Sequence, residues 1–178
     1  MAKRPQRRSR VGWLAGLFLL QFGLALFEGS SAVGPGAAPR DLRLTRLADG
    51  SSATLRELAG GRPLLLVFWT TWCAYCSPEL ERGVALAAEL AAGVTPVELL
   101  FVNVREPAAV VGLYPHVGAL GPRIVLDEGG ALAATLGIRG YPAYGLLDSQ
   151  GGLRWVRHGL EVDVVPEVRA VFAGDDRG

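Results

Sequence analysis

Two short apolar runs, residues 63–69 and 97–102, predict two buried strands in the first half of the chain. The segment between them, residues 77–92, carries apolar side chains at helical spacing and stops at Gly93, which predicts a long helix. The buried face expected for this helix consists of Leu80, Val84, Ala87, Ala88 and Ala91. The order strand, helix, strand is typical of a β-α-β unit.

Shorter elements surround this unit. In chain order, the pattern predicts a strand near Leu42, Leu44 and Leu47, a turn at 48–51, a helical turn at 54–58, a helix at 106–117, a strand at 123–126, a helix at 131–136, two hairpin strands at 143–147 and 153–157, and a closing helix at 162–172. Such an order predicts an α/β domain in which helices cover both faces of a central mixed sheet.

The first 32 residues have a different character and predict an export segment. Residues 1–10 contain basic but no acidic side chains, and residues 11–27 form an apolar stretch at about the lower length limit for spanning a bilayer. Either this segment stays as a membrane anchor, which is the favoured outcome, or a peptidase cuts after Ala32. Both outcomes place the domain outside the cytoplasm, and the first places it in the periplasm at the inner membrane. Residues 33–40 predict a linker and residues 41–174 the folded domain.

Charge is unevenly distributed along the chain. Five of the 18 basic and one of the 17 acidic residues lie in the first 32, so the remainder carries 13 and 16, a net charge near −3. Nothing in this charge balance suggests nucleic acid as a partner.

Both cysteines, Cys73 and Cys76, lie where the strand 63–69 leads into the helix 77–92. Unpaired N–H groups and the helix dipole favour a thiolate at such a position. A structural zinc site needs about four ligands, and covalent haem attachment needs a histidine where Ser77 stands. A purely structural disulfide across so short a loop would stabilise the fold little. The pair therefore predicts a redox site.

Further motifs accompany the cysteines: residues 68–76 with Glu79, 102–104, 125–130, 136–142, 146–151 and 157–159. In these stretches the chain resembles the thioredoxin superfamily, and more closely the exported, often membrane-anchored thiol–disulfide reductases of the TlpA/ResA type. The resemblance covers residues 41–172. It implies a thioredoxin-like fold with an N-terminal strand extension, and chemistry that needs neither a cofactor nor a metal.

The resemblance implies a dithiol–disulfide cycle. Cys73 is expected to be the exposed nucleophile, whose thiolate attacks a protein disulfide. The more buried Cys76 then releases the product, which leaves a redox-active Cys73–Cys76 disulfide. An unidentified donor in the membrane or outside the cytoplasm must reduce that disulfide again.

Glu79 is the third expected catalytic residue. It lies three positions after Cys76, hence on the same helix face. Thioredoxins carry a buried Asp on the preceding strand, where this chain has Val67, whereas proteins of the TlpA/ResA type resemble it in having Glu at position 79. That carboxylate could accept the proton that Cys76 loses. The alternative is a solvated glutamate favoured by the helix dipole.

The Tyr141-Pro142 pair is the second part of the expected site. The resemblance implies a cis bond before Pro142 and a loop that faces the cysteines. The backbone of Tyr141 would pair with a substrate strand, and Trp72 and Tyr75 would contact the substrate beside it.

Two other functions compete with a disulfide reductase. Thr70 lies three residues before Cys73 as in peroxiredoxins, but Leu66 replaces the proline of that family. Copper chaperones of this fold use a Cys-x-x-x-Cys pair with a distal histidine, and the spacing here is one residue shorter. The direction of electron flow rests on the resemblance, which favours reduction. The same resemblance suggests apocytochrome c or a copper-site protein as substrate.

Overall fold

A computed structural model describes residues 39–159 and 163–173. Its strands are β1 (Arg43–Arg46), β2 (Ser52–Thr54), β3 (Leu64–Trp69), β4 (Glu98–Val104), β5 (Ile124–Asp127), β6 (Ala143–Leu147) and β7 (Leu153–His158). Its α-helices are α1 (Leu55–Ala59), α2 (Ser77–Ala91), α3 (Ala108–Val111), α4 (Val117–Leu120), α5 (Ala131–Thr135) and α6 (Val164–Phe172). Short 3-10 turns occupy Pro39–Asp41, Ala74–Cys76 and Gly121–Arg123.

The described strands form one mixed sheet in the order β2-β1-β5-β4-β3-β6-β7. The central strands β3, β4 and β5 are parallel, whereas β6 and β7 add antiparallel strands beside β3. On the other side, β1 and β2 form an antiparallel hairpin that covers the edge of β5. Strand β1 of this hairpin is the expected N-terminal strand extension.

Strand β3 is buried on both sides, and its side chains alternate between two cores. One core, the disulfide face, receives Leu65, Val67 and Trp69 together with both cysteines and apolar residues of α2 and α6. The other, the opposite face, receives Leu64, Leu66 and Phe68 together with residues of α1 and α5. Helices therefore cover both faces of the sheet, and the predicted α/β fold class is confirmed.

The predicted helix over 106–117 is wrong. The segment contains α3, which follows Pro107 and ends at Gly112, and a separate helix α4 that begins at Val117. Pro115 has no N–H group and disfavours helical backbone before it, and His116 adopts a left-handed φ of 71°. Strand β2 was not predicted, because only its central Ala53 is buried and the hydrophobic pattern is correspondingly short.

The long helix is confirmed as α2, but the predicted buried face is shifted. Val84 is 49% exposed, and Ala88 and Ala91 also face outward. Gly83 lies against the sheet instead, where an added Cβ would meet the Phe101 Cζ atom at 2.6 Å and the Leu120 Cδ2 atom at 2.7 Å. The buried side chains of α2 are Glu79, Leu80, Leu86, Ala87 and Leu90, with Gly83 between them.

Where the described chain begins, Arg40 contacts the turn between β6 and β7. Its Nη1 atom donates a hydrogen bond of 2.8 Å to the Gln150 carbonyl. A Cβ added to Gly151 would come within 2.6 Å of the Arg40 Cβ, so the two backbones lie side by side. The predicted export segment 1–32 and nearly all of the linker lie outside the described residues. Among the described residues, no helix is both long enough and apolar enough to cross a bilayer.

Candidate active site

The two cysteines form a disulfide at the point where β3 leads into α2, and their Cα atoms are 5.4 Å apart. The intervening turn is held by the backbone. The Cys73 N–H donates to the Thr70 carbonyl at 3.2 Å, and the Cys76 N–H donates to the Cys73 carbonyl at 3.0 Å. Pro78 then occupies the first turn of α2, where its missing N–H costs no helical hydrogen bond. Both sulfur atoms are thus held at a helix N-terminus.

The expectation that Cys73 is exposed is wrong for this disulfide form. Cys73 is 6% exposed and Cys76 is 0% exposed. Both belong to the core cluster that contains Trp69, because the bond to the fully buried Cys76 keeps Cys73 turned inward. The predicted difference in exposure between the two cysteines is nevertheless observed, since Cys73 is the more accessible of the two.

Aromatic side chains surround the disulfide. Trp72 is 71% exposed and Tyr75 is 65% exposed, which are high values for such large side chains. The Trp72 ring meets the Tyr141 ring edge to face, with centroids 5.7 Å apart and planes at 76°. Trp69, by contrast, is buried beneath the site and packs on Tyr114 at 5.2 Å. The molecule therefore presents an aromatic rim, made of Trp72, Tyr75 and Tyr141, around its cysteines.

The bond between Tyr141 and Pro142 is cis. It lies just before β6, whose first residue Ala143 pairs with Phe68 near the end of β3. Because β3 leads directly into the cysteine turn, this pairing brings the proline loop to the same end of the sheet. The Pro142 carbonyl accepts a hydrogen bond of 3.0 Å from the Gly159 N–H, which ties the loop to the end of β7.

Glu79 is 4% exposed, so the alternative of a solvated glutamate is wrong. Its Oε2 atom accepts hydrogen bonds from Arg82 Nε at 2.9 Å and Arg82 Nη2 at 2.5 Å. Burial lowers the pKa of Arg82, but the hydrogen bond and the negative charge of Glu79 outweigh it and raise that pKa overall. Glu79, one helical turn after Cys76, thus forms a buried ion pair with a half-exposed arginine.

Tyr144 completes this cluster from β6 and was not predicted from the sequence. Its ring is fully buried, and its hydroxyl makes no hydrogen bond of good geometry. Burial raises the pKa of Tyr144 most, the nearby Glu79 carboxylate raises it further, and Arg82 lowers it in part. The net effect is a pKa far above the usual 10.0. An isolated tyrosine in an apolar strand carries no sequence signal for this position.

Glu106 is a second residue that sequence reasoning missed. Its carboxylate accepts hydrogen bonds from the Thr71 N–H at 2.7 Å, the Thr71 hydroxyl at 2.5 Å and the Asn103 side chain at 2.7 Å. These bonds fix the loop that leads into Cys73. A glutamate two residues after the end of the buried strand β4 was the available signal, because the parallel neighbours β3 and β4 end at the same edge.

His116 and His158 are both exposed and lie outside this cluster. In the part of the chain that the structure describes, no group of three or more His, Cys, Asp or Glu side chains is arranged to hold a metal ion.

Comparison with known proteins places the chain in a family. A sequence profile of the Redoxin family matches residues 34–171. The thiol-disulfide oxidoreductase ResA of Halalkalibacterium halodurans is 32% identical over 111 residues, which cover 62% of this chain and 61% of ResA. The thiol:disulfide interchange protein DsbE of Vibrio cholerae is 30% identical over 156 residues, which cover 82% of this chain and 78% of DsbE.

The fold has solved counterparts. One is a secreted disulfide oxidoreductase of Mycobacterium tuberculosis, which superposes with a TM-score of 0.57 at 21% identity and covers 78% of this chain and 99% of that one. At this identity the likeness concerns the fold alone. The family assignment therefore rests on the match over most of the chain, and the disulfide at the start of α2 agrees with it. The chain belongs to the Redoxin family, as a thioredoxin-like thiol–disulfide oxidoreductase of the TlpA/ResA type.

Proposed function

We propose that this chain reduces disulfide bonds of protein substrates outside the cytoplasm, by cycling between a Cys73–Cys76 dithiol and disulfide. The observation that carries the proposal is the position of that disulfide. It lies at a helix N-terminus, beside exposed aromatic rings and a cis proline loop. Such a surface suits an extended protein segment better than a small molecule, because it is a rim and not an enclosed pocket.

The proposed cycle starts from the dithiol. The Cys73 thiolate attacks one sulfur of a substrate disulfide, forms a mixed disulfide and releases the first substrate thiolate. Cys76 then attacks the Cys73 sulfur, which forms the Cys73–Cys76 disulfide and releases the second substrate thiolate. Two electrons pass from the protein to the substrate, and a separate reducing protein must return two electrons to the pair.

Glu79 is proposed to take the proton that Cys76 loses in the second step. It lies one helical turn after Cys76 and is almost wholly buried. Bulk water therefore has little access to accept the proton in its place. Tyr141, Pro142, Trp72 and Tyr75 are proposed to bind the substrate segment. Their support is the aromatic contact between Trp72 and Tyr141 beside the disulfide.

The extracytoplasmic location is supported by the composition of residues 1–32. An extracytoplasmic compartment is oxidising, so a reductase there needs its own supply of electrons. Apocytochrome c and copper-site proteins remain the proposed substrate classes, on the strength of the family resemblance.

Cysteine variants test the cycle. Cys73→Ser is expected to abolish reduction of insulin disulfides, because it removes the nucleophile, whereas Cys76→Ser is expected to trap substrate as a mixed disulfide visible by mass. The reduction potential of the pair tests the direction: about −250 mV or lower supports a reductase, and about −120 mV indicates an oxidant. Full activity of Cys73→Ser would rule out the proposed cycle.

A further inference from the structure

Arg105 has an unusual backbone conformation next to the active site. It follows the last residue of β4 and adopts φ 60°, in the left-handed region that favours glycine. Its N–H donates to the Asp127 carbonyl at 3.1 Å, which joins the ends of two parallel strands. A non-glycine residue in this backbone conformation is strained relative to glycine. Residues with such strained backbones are found most often at functional sites.

The guanidinium of Arg105 lies against Gly130. A Cβ added at Gly130 would come within 2.3 Å of Arg105 Nε and within 2.9 Å of Cζ and Nη2. Gly130 itself has φ 70°. The guanidinium therefore lies over Gly130, in space that a side chain at position 130 would need.

The positive charge of Arg105 has no partner in the part of the chain that the structure describes. The residue is exposed, and its guanidinium makes no hydrogen bond or ion pair with any residue that the structure describes. Two acidic residues near the ends of β4 and β5 already accept hydrogen bonds from other groups. Glu106 accepts bonds from Thr71 and Asn103, and Asp127 accepts the N–H groups of Leu132 and Ala133.

The charge also lies close to the proposed substrate-binding loop. Arg105 follows the end of β4, where Asn103 pairs with Trp69 at the end of the strand that leads into the cysteine turn. Burial raises the pKa of Tyr141, and the positive charge of Arg105 partly counteracts that rise. Tyr141 in turn contacts Trp72 beside the disulfide. An exposed cation without a partner among the described residues thus lies near the aromatic rim.

We propose that Arg105 is a specificity residue that favours substrates with an acidic side chain close to the target cysteine. The inference rests on the proposed function, since it concerns the substrate of the same site. A guanidinium without a partner of its own offers paired N–H donors to a carboxylate. Substrates with a basic residue at the same place would be disfavoured.

The test uses the fully reduced protein and a pair of disulfide-containing peptides that differ in one residue next to a cysteine, glutamate in one and glutamine in the other. Single-turnover reduction is followed by tryptophan fluorescence at low salt. The wild-type protein is expected to prefer the glutamate peptide about two- to fivefold, as for one exposed charge pair. Arg105→Gly is expected to reduce both peptides at the same rate, and 0.5 M salt to diminish the wild-type preference.

Control variants distinguish a local contact between Arg105 and the substrate from a general effect of positive surface charge. Arg105→Gly removes a left-handed non-glycine residue, so it is expected to fold at least as well as the wild type. Arg105→Lys keeps the charge and should retain part of the preference. Arg139→Gln removes another exposed arginine from the loop before Tyr141 and should leave the preference intact.

The outcomes distinguish the two proposals. If the wild-type protein reduces neither peptide, the proposed function fails. If it reduces both but the preference is absent, or persists unchanged in Arg105→Gly, the inference about Arg105 is overturned while the reductase activity stands. Equal losses of preference in Arg105→Gly and Arg139→Gln would also overturn it.

Discussion

At the scale of single residues, the ion pair of Glu79 and Arg82 is asymmetric. The Glu79 side chain is 5% exposed and that of Arg82 is 48% exposed. A buried carboxylate depends on its partner, because an unpaired charge in the protein interior is costly, whereas the arginine can still be hydrated. Arg82 therefore keeps the buried carboxylate of Glu79 paired while its own side chain remains in contact with solvent.

Glu79→Gln tests the proton-transfer role of this residue. The variant keeps the shape and removes the basic oxygen, so the release of substrate from the mixed disulfide is expected to slow by about tenfold or more while Cys73 attack is less affected. Rapid-quench measurement of the mixed disulfide separates the two steps. Equal slowing of both steps would indicate a structural effect instead.

Tyr144 leads to a prediction about alkaline pH. Its pKa is raised in the folded protein, by burial first and by Glu79 second, above the 10.0 of an unfolded chain. Above pH 10 the unfolded state therefore loses a proton that the folded state keeps. The free energy of unfolding should then fall by about 1.4 kcal/mol for each pH unit from this residue alone.

Denaturant unfolding between about pH 9.5 and 11 measures this slope. Tyr144→Phe is expected to make the slope shallower, and to cost little near pH 7 because the hydroxyl lacks a well-formed hydrogen bond. Tyr75→Phe, at a ring that is 65% exposed, is the control and should keep the wild-type slope. The same slope in wild type and Tyr144→Phe would contradict the prediction.

At the scale of elements, α2 approaches the sheet most closely at Gly83. The Phe101 ring of β4 and Leu120 of α4 occupy the space where a side chain at 83 would lie. This close packing determines the distance between α2 and the sheet, and therefore the position of the cysteines at the N-terminal end of the helix.

Gly83→Ala is expected to destabilise the protein by about 1–3 kcal/mol, because overpacking exceeds the gain of about 1 kcal/mol in helix propensity. Gly118→Ala is a matched control in α4, where an added Cβ meets nothing within 4 Å and should stabilise the helix slightly. Thermal unfolding of both variants measures the difference. A stable Gly83→Ala protein would show that α2 can shift without cost.

At the scale of the whole molecule, the proposed location is open to a direct experiment. In intact bacterial cells whose outer membrane is permeabilised, a membrane-impermeant maleimide should label Cys73 in the Cys76→Ser variant. Deletion of residues 2–32 should abolish this labelling, because the domain would then stay in the cytoplasm. Labelling that survives the deletion would contradict the export role of the segment.

The sequence predicted the elements whose pattern is local and strong. Residues 63–69 are a fully apolar run, and they form the central strand β3 within one residue of the predicted start. The hairpin of β6 and β7 follows from its turn residues in the same way. The cysteine turn was expected because both cysteines lie between an apolar strand and a helix, whereas the cis proline was expected only from the family resemblance.

Features that depend on distant parts of the chain were not predictable from the sequence alone. The approach of Glu106 to Thr71, of Tyr144 to Glu79 and of Arg105 to Gly130 each requires two segments to be folded against each other. Cys73 is less exposed than expected for a similar reason, since its burial comes from neighbours that only the fold supplies.

The contact between Arg40 and the turn at Gln150 fixes where the described chain enters the domain. That turn follows the end of β6 at Leu147, whereas the cis proline precedes its start at Ala143. A strand of this length separates the two points by roughly 15 Å. The point at which the described chain begins and the cis proline beside the disulfide therefore lie at opposite ends of β6, so an extended substrate segment can approach the disulfide without meeting Arg40.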